Sequence, residues 1–279
     1  EQVIADLASF NPPFIDVTSH AAESDEKFGK SRRKRPGTVG ICAVIQHKYG
    51  IDAVPHVLCH GFTREETEDF LIDFNYLGIQ NVLALRGDKT GHQKAIPEGR
   101  SKNEYAVDLV EQIAAMNEGR YLDGPNEVVP SDFCIGVAGY PETHFEASHA
   151  TADLRHLREK VNAGAEYIVT QMFFDNRHYF NFVKKCHHHH IDVPIIPGLK
   201  VLTTKEQLTS LPEKFYLDLP SDLNQQVQQA HTNEEVKEIG IQWAVKQAEE
   251  LCNQPVPAVH FYVMGNPAPV VEVIKRLRR

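Results

Sequence analysis

No CxxC pair occurs in this chain, and its other absences narrow its class before any motif is considered. The five cysteines, Cys42, Cys59, Cys134, Cys186 and Cys252, are odd in number and widely spaced, which suits reduced thiols in a cytoplasmic protein and not a disulfide framework or a zinc site. No apolar run approaches the roughly 20 residues that a membrane-crossing helix needs, so no membrane partner is expected. No secretory leader is visible after Glu1. Positive charge is in deficit. The net charge of −9 argues against nucleic acid, whose phosphates call for a positive field. No GxGxxG turn follows an early strand, which counts against a doubly wound dinucleotide-binding sheet.

What is present is ordinary globular material, 42% apolar and 24% charged over 279 residues. That length suits one α/β barrel of about 250 residues, and a single domain over residues 1–279 is expected. Val3, Ile4, Leu7 and Phe10 share a helical face that Asn11-Pro12-Pro13 ends. Strands are predicted at 14–18, 55–59, 81–85, 133–139, 167–173, 193–196 and 259–263. Helices are predicted at about 38–49, after Thr63, at 104–116, around Leu154–Val161, at 179–186, 203–211 and 234–252. Thr63 with Glu66, and Thr203 with Glu206, have capping-box spacing. Near-continuously apolar strands alternating with helices predict a parallel sheet covered by helices. The strands number seven, one short of a closed barrel, and the barrel is preferred over the doubly wound sheet.

In such a barrel the loops after the strands build the active site. Thr18, His56, Arg86-Gly87-Asp88, Tyr140 with Glu142, His144 and Glu146, Gln171, Asp175 and Tyr262 all lie in or just after predicted strands. Strand ends are commonly polar, so any one of them is as readily a cap as a site. The run His187–His190 falls at a helix-to-strand connection, away from that rim, and reads as a solvated turn; no metal site is expected. The basic run from Lys30 to Arg35 reads as a solvated loop.

Several ordered segments resemble the methylenetetrahydrofolate reductase family. They are Leu85-Arg86-Gly87-Asp88, the block from Gly139-Tyr140-Pro141-Glu142 to Ala147, Asn162-Ala163-Gly164-Ala165, Thr170-Gln171-Met172-Phe173-Phe174-Asp175, Pro194 to Gly198, and His260-Phe261-Tyr262. The resemblance implies a (β/α)8 barrel that holds FAD without a dinucleotide motif. It implies two stages, in which NADH or NADPH first reduces the flavin and reduced flavin then passes hydride to 5,10-methylenetetrahydrofolate. Position by position, it implies FAD contacts from Thr18, Ser19, His56, Arg86, Gly87, Asp88, Tyr105, Ala106, Tyr140, His144, Ala147, Asp153, His156 and Lys160. Asp88 and Gln171 are the implied catalytic residues, and Gln171, Leu211 and Tyr262 the implied folate contacts. A cytoplasmic homo-oligomer is expected.

The chain departs from that family in two places. The first-strand Phe-Glu-Phe-Phe-Pro-Pro type segment, with its general-acid Glu, is absent, so the first barrel strand is expected to lie before Glu1. Tyr262 leads to Val263-Met264-Gly265-Asn266 where the family often has Asn-Arg. A flavin- or folate-binding barrel without catalysis, and another folate enzyme such as a methyltransferase, are the alternative readings.

Overall fold

Strands and helices alternate in the computed structural model, which describes residues 1–19, 24–25, 30–31, 36–87, 96, 98–122, 129–142, 150–263 and 265–278. Helix α1 (Gln2–Ala8) precedes strand β1 (Phe14–Val17), and α2 (Thr38–Ala43) leads into β2 (Asp52–Leu58). Then follow α3 (Arg64–Tyr76), β3 (Asn81–Leu85), α4 (Ala106–Asn117), β4 (Cys134–Gly139) and α5 (Ala150–Asn162). The chain continues through β5 (Tyr167–Met172), α6 (Asn176–His188), β6 (Ile195–Leu199), α7 (Gln207–Phe215), α8 (Ser221–Gln229) and α9 (Asn233–Cys252). It closes with β7 (His260–Phe261) and α10 (Ala268–Leu277). Residues 24–25 and 30–31 pair as a short antiparallel ribbon. This is the parallel α/β architecture that the sequence pattern predicts.

Two compact units are formed. The first comprises Asn11–Val137 and Glu159–Glu166. Its strands pair in parallel in the order β1, β2, β3, β4, with Phe14 opposite Asp52, His56 opposite Leu83 and Asn81 opposite Cys134. Thr67, Leu71 and Phe74 on α3, and Leu109, Val110, Ile113 and Met116 on α4, supply buried helix faces. Each large apolar side chain so buried contributes about 2 kcal/mol. The box at the start of α3 is complete: Thr63 Oγ1 accepts the Glu66 N–H at 3.1 Å, and Glu66 Oε2 accepts the Thr63 N–H at 3.0 Å.

The second unit comprises Glu1–Phe10, Ala138–Arg158 and Tyr167–Arg279. In it β5, β6 and β7 pair in parallel, with Ile168 opposite Ile195 and Gly198 opposite His260. All of β6 is buried. Helix α9 lies close on the chain beyond β6, because Gly240 has no side chain; a Cβ there would sit 2.0 Å from the Leu202 carbonyl oxygen.

Local details differ from the sequence expectations for identifiable reasons. The predicted helix over 38–49 is α-helical only to Ala43 and continues as a π-helical turn through Lys48. The box expected between Thr203 and Glu206 does not form. Gln207 Oε1 instead accepts the N–H groups of Thr203 and Thr204 at 2.7 and 3.2 Å, and the helix starts at Gln207. Helix α6 begins three residues before the predicted Tyr179, because the Asp175 side chain caps it by accepting the Arg177 N–H at 2.9 Å. Helix α8 was not anticipated: it buries only Leu223 and Val227 from an otherwise polar stretch.

Candidate active site

In the first unit, parallel pairing brings the ends of β1, β2 and β3 to one side, and polar residues follow each end. Thr18 and Ser19 follow β1, and the Thr38 hydroxyl donates to the Ser19 hydroxyl at 3.3 Å. Past β2, Cys59 N donates to Leu85 O and His60 N to Arg86 O, each at 3.1 Å, so the strand-end loops are stitched together. The Arg86 guanidinium lies 4.9 Å from the centre of the Tyr105 ring, a cation–π contact that orients its planar donor fork. Gly87 follows at φ +85°, a left-handed conformation that glycine adopts without strain.

His56, on β2, has a neighbour that sequence reasoning missed. Its Nε2 lies 3.8 Å from Oδ1 of Asp16, whose side chain is 8% exposed. The available signal was a carboxylate in the middle of the apolar strand Phe14–Val17. Burial, followed by the Asp16 carboxylate, pushes the nearby Cys42 thiol up to about 12. Burial likewise raises Cys59 to about 12, with Asp108 adding to the shift and Arg86 opposing it. Thiols held this high stay protonated near neutrality and make poor nucleophiles.

In the second unit, the end of β5 carries the residue of most interest. The register between β5 and β6 shifts between Val169 and Met172, so Thr170 and Gln171 sit in a bulge. Bulges re-aim side chains and are common beside active sites. Gln171 Oε1 accepts the Met172 N–H at 2.9 Å, which turns the carboxamide back on its own strand and leaves the NH2 group as the part offered outward. Fully buried Thr170 accepts the Gly198 N–H on its hydroxyl at 2.9 Å, and its carbonyl accepts the Tyr262 hydroxyl at 2.9 Å. Gly198 makes that crossing possible, since a Cβ there would lie 2.7 Å from Tyr262 Cε2 and 2.4 Å from Thr170 O. Helix α9 holds the segment after β5: Trp243 Nε1 donates to Phe174 O at 2.9 Å, and Gln247 Nε2 to Phe173 O at 3.3 Å.

Tyr140 follows β4 and is half-buried. Two residues on, a Glu142 carboxylate oxygen accepts the Asp218 N–H at 2.5 Å. Burial pushes the Glu142 carboxyl above the usual range, against the pull of that N–H and of His178. Candidate ligand atoms of Glu142, His178 and Asp218 lie within 4.8 Å of one another, with Asp218 exposed. Asp175 is committed to structure, capping α6 and pairing with Arg177 at 2.5 Å; Arg177 holds its carboxyl below the ordinary range. Leu211 is buried in an apolar cluster with Met172, Phe174 and Leu217.

The remaining expected positions divide between the units. Ala106 opens α4, while Asp153, His156 and Lys160 lie along α5 at spacings that share one helix face. Thr18, Ser19, His56, Arg86, Gly87, Tyr105, Ala106 and Lys160 belong to the first unit. Tyr140, Asp153, His156, Gln171, Leu211 and Tyr262 belong to the second. Asp88, His144 and Ala147 lie outside the described residues.

Comparison with known proteins follows the same lines. The family profile described as Methylenetetrahydrofolate reductase matches residues 2–278. The chain is 32% identical over 261 residues to the 5,10-methylenetetrahydrofolate reductase of Salmonella typhimurium, covering 93% of this chain and 78% of that protein. It is 32% identical to methylenetetrahydrofolate reductase 1 of Schizosaccharomyces pombe, covering 95% of this chain and 41% of that longer protein. A Caenorhabditis elegans relative, 27% identical over 95% of this chain and 37% of its own length, is named a probable methylenetetrahydrofolate reductase (NADPH). Among solved structures, a Clostridium thermocellum protein described as binding two copies of 5-methyl-5,6,7,8-tetrahydrofolic acid aligns with a TM-score of 0.58 at 13% identity, over 98% of this chain and 85% of that one. That likeness is one of fold, the α/β barrel class expected from the sequence. No helix among the described residues is long and apolar enough to cross a membrane.

Proposed function

The chain belongs to the methylenetetrahydrofolate reductase family of oxidoreductases, and on that premise we propose that it reduces 5,10-methylenetetrahydrofolate to 5-methyltetrahydrofolate, with FAD as resident cofactor and NADH or NADPH as reductant. Gln171 supports this reading most directly: a bulge, a buried threonine and a tyrosine clamp all act to present one carboxamide at a strand end.

The residues of the first unit fit a flavin dinucleotide. Arg86, in cation–π contact with Tyr105, suits a pyrophosphate, and Gly87 at φ +85° presents backbone with no side chain in the way. Lys160 adds a second cation, while Thr18, Ser19 and His56 add hydroxyl and imidazole groups. By family resemblance Tyr140, Asp153 and His156, which belong to the second unit, are further candidate flavin contacts. When bound, the flavin supplies hydride chemistry that side chains lack.

The chain's own residues bind, orient and stabilise charge. The Gln171 amide is suited to the hydrogen-bonding edge of the folate pterin and, in the reductive stage, to nicotinamide, so that reductant and folate use it in turn. The folate ring must open to an iminium cation before hydride arrives, and Asp88 carries the negative charge that stabilises it. Tyr262 keeps its hydroxyl on Thr170 and acts by positioning the strand end that bears Gln171. Leu211 supplies apolar packing behind the site. The same reading takes residues 1–279 as one catalytic domain and places its reaction in cytoplasmic one-carbon metabolism.

The test is spectroscopic. Purified protein should be yellow, bleach on anaerobic addition of NADH or NADPH, and recover colour when a folate acceptor is added. A colourless protein, or a reduced one that methylenetetrahydrofolate fails to reoxidise, overturns the reading. Asp88→Asn should retain flavin and slow the folate stage; an unchanged folate rate removes Asp88 from that role.

A further inference from the structure

We propose that the cavity between helices α3 and α4 in the first unit is a second binding site, which takes a small metabolite through a phosphate or carboxylate group. The cavity measures about 380 Å³, within the range of small-molecule sites, and its wall includes Arg64, Glu68, Lys102, Asn103, Gln112 and Tyr121.

The wall carries three carboxylates, Glu68, Asp108 and Glu111, against three cations, Arg64, Lys102 and Arg120, and they differ in how they are engaged. Glu68 is engaged by the Leu122 N–H at 2.8 Å. Asp108 is engaged by the N–H groups of Glu104 and Tyr105 at 3.0 and 2.9 Å. Of the wall's cations, Lys102 pairs with Glu104 at 3.0 Å, and Arg120 pairs with Glu118. Arg64 has no carboxylate partner among the described residues, and its buried Nε meets no acceptor. A buried donor left unmatched is costly, and a guanidinium is matched best by a two-oxygen anion that accepts its fork.

The rest of the wall is built rather than incidental. Asn103 and Gln112 are each 3% exposed. The Asn103 amide donates to Gln112 Oε1 at 2.7 Å, and the Gln112 amide donates to the Arg64 carbonyl at 2.8 Å. This chain fixes the backbone from which the Arg64 side chain projects. Tyr121, Leu122 and Ala115 add apolar surface. A cationic fork, a rigid polar floor and an apolar side, in a space larger than a bare ion requires, define an anion attached to an organic body.

Calorimetric titration of the full chain with its cofactor bound, using adenosine 5′-monophosphate, adenosine, succinate and inorganic phosphate, tests this. Saturable binding of the monophosphate but not of adenosine identifies the phosphate class, and binding of succinate the carboxylate class. In either case Arg64→Gln should weaken binding about tenfold or more, as expected for a lost charge-assisted hydrogen bond. Arg100→Gln, which alters only an exposed pair with Glu65, should leave it unchanged. Arg64 makes no side-chain bond within the described protein, so its variant should keep the wild-type melting curve and reductase rate. If none of the anions binds, or if binding survives Arg64→Gln undiminished, the proposal is overturned.

Discussion

The Tyr262 hydroxyl donates to the Thr170 carbonyl at 2.9 Å, joining the chain just after β7 to the bulge that presents Gln171. Tyr262→Phe removes this donor from the carbonyl of buried Thr170, so the variant should lose about 1–2 kcal/mol in urea unfolding. Loosening the strand end should also lower kcat/KM for the folate by about tenfold, because small displacements of a positioned group are expensive. A variant with wild-type folate kinetics would show that the clamp serves stability alone.

Gly198→Ala tests the same crossing from beneath. Its Cβ would fall 2.4 Å from a backbone oxygen and 2.7 Å from the Tyr262 ring, and the backbone oxygen cannot move aside cheaply. The expected loss is about 1–3 kcal/mol, with Tyr262 displaced. Melting temperatures of Gly198→Ala, Tyr262→Phe and the double variant should be non-additive, since both changes break one contact.

The start of α3 offers a test of stability that alters none of the residues placed in the candidate active site. Thr63→Ala abolishes one half of the reciprocal cap and should cost about 1 kcal/mol without altering the proposed flavin binding. Thr63→Ser should recover most of that loss in chemical denaturation.

Acid should weaken one identifiable pair. The Arg276 fork, followed by Gln242, holds the Glu238 carboxyl down from an ordinary 4.5 to about 2. A carboxyl depressed in the folded state stabilises fully above its unfolded value, and that contribution fades as pH falls from about 4.5 toward 2. Wild type and Glu238→Gln should therefore differ in urea midpoint at pH 6 and converge toward pH 2. The difference should be small because solvent screens a surface pair.

The strand and helix order was legible because it is written in local pattern: apolar runs such as Ile195–Leu199 and caps such as Thr63 with Glu66 signal themselves over a few residues. Helix α8 was not, since Leu223 and Val227 alone give too little period to stand out from nine mostly polar residues. At the start of α7, neighbouring Glu206 and Gln207 compete for one capping task, and spacing alone does not choose between them. Gln171 was visible as a polar residue near a predicted strand end, and its role came through family resemblance. The bulge that aims it depends on register against β6, and the need for glycine at 198 depends on a ring contributed far along the chain. Asp16 was visible as an acid within a strand, but only the placement of His56 on the neighbouring strand gave it a partner.

The distribution of sulfur has a practical outcome. Cys42, Cys59 and Cys186 are buried, with thiols raised to about 12, and half-buried Cys134 stands at about 11. Cys252, at the end of α9, is exposed. Maleimide applied to the native protein should therefore attach a single dye at Cys252, at the far end of the helix that steadies the segment after Gln171. No cysteine would first have to be engineered away, so fluorescence could follow ligand entry in otherwise unmodified enzyme.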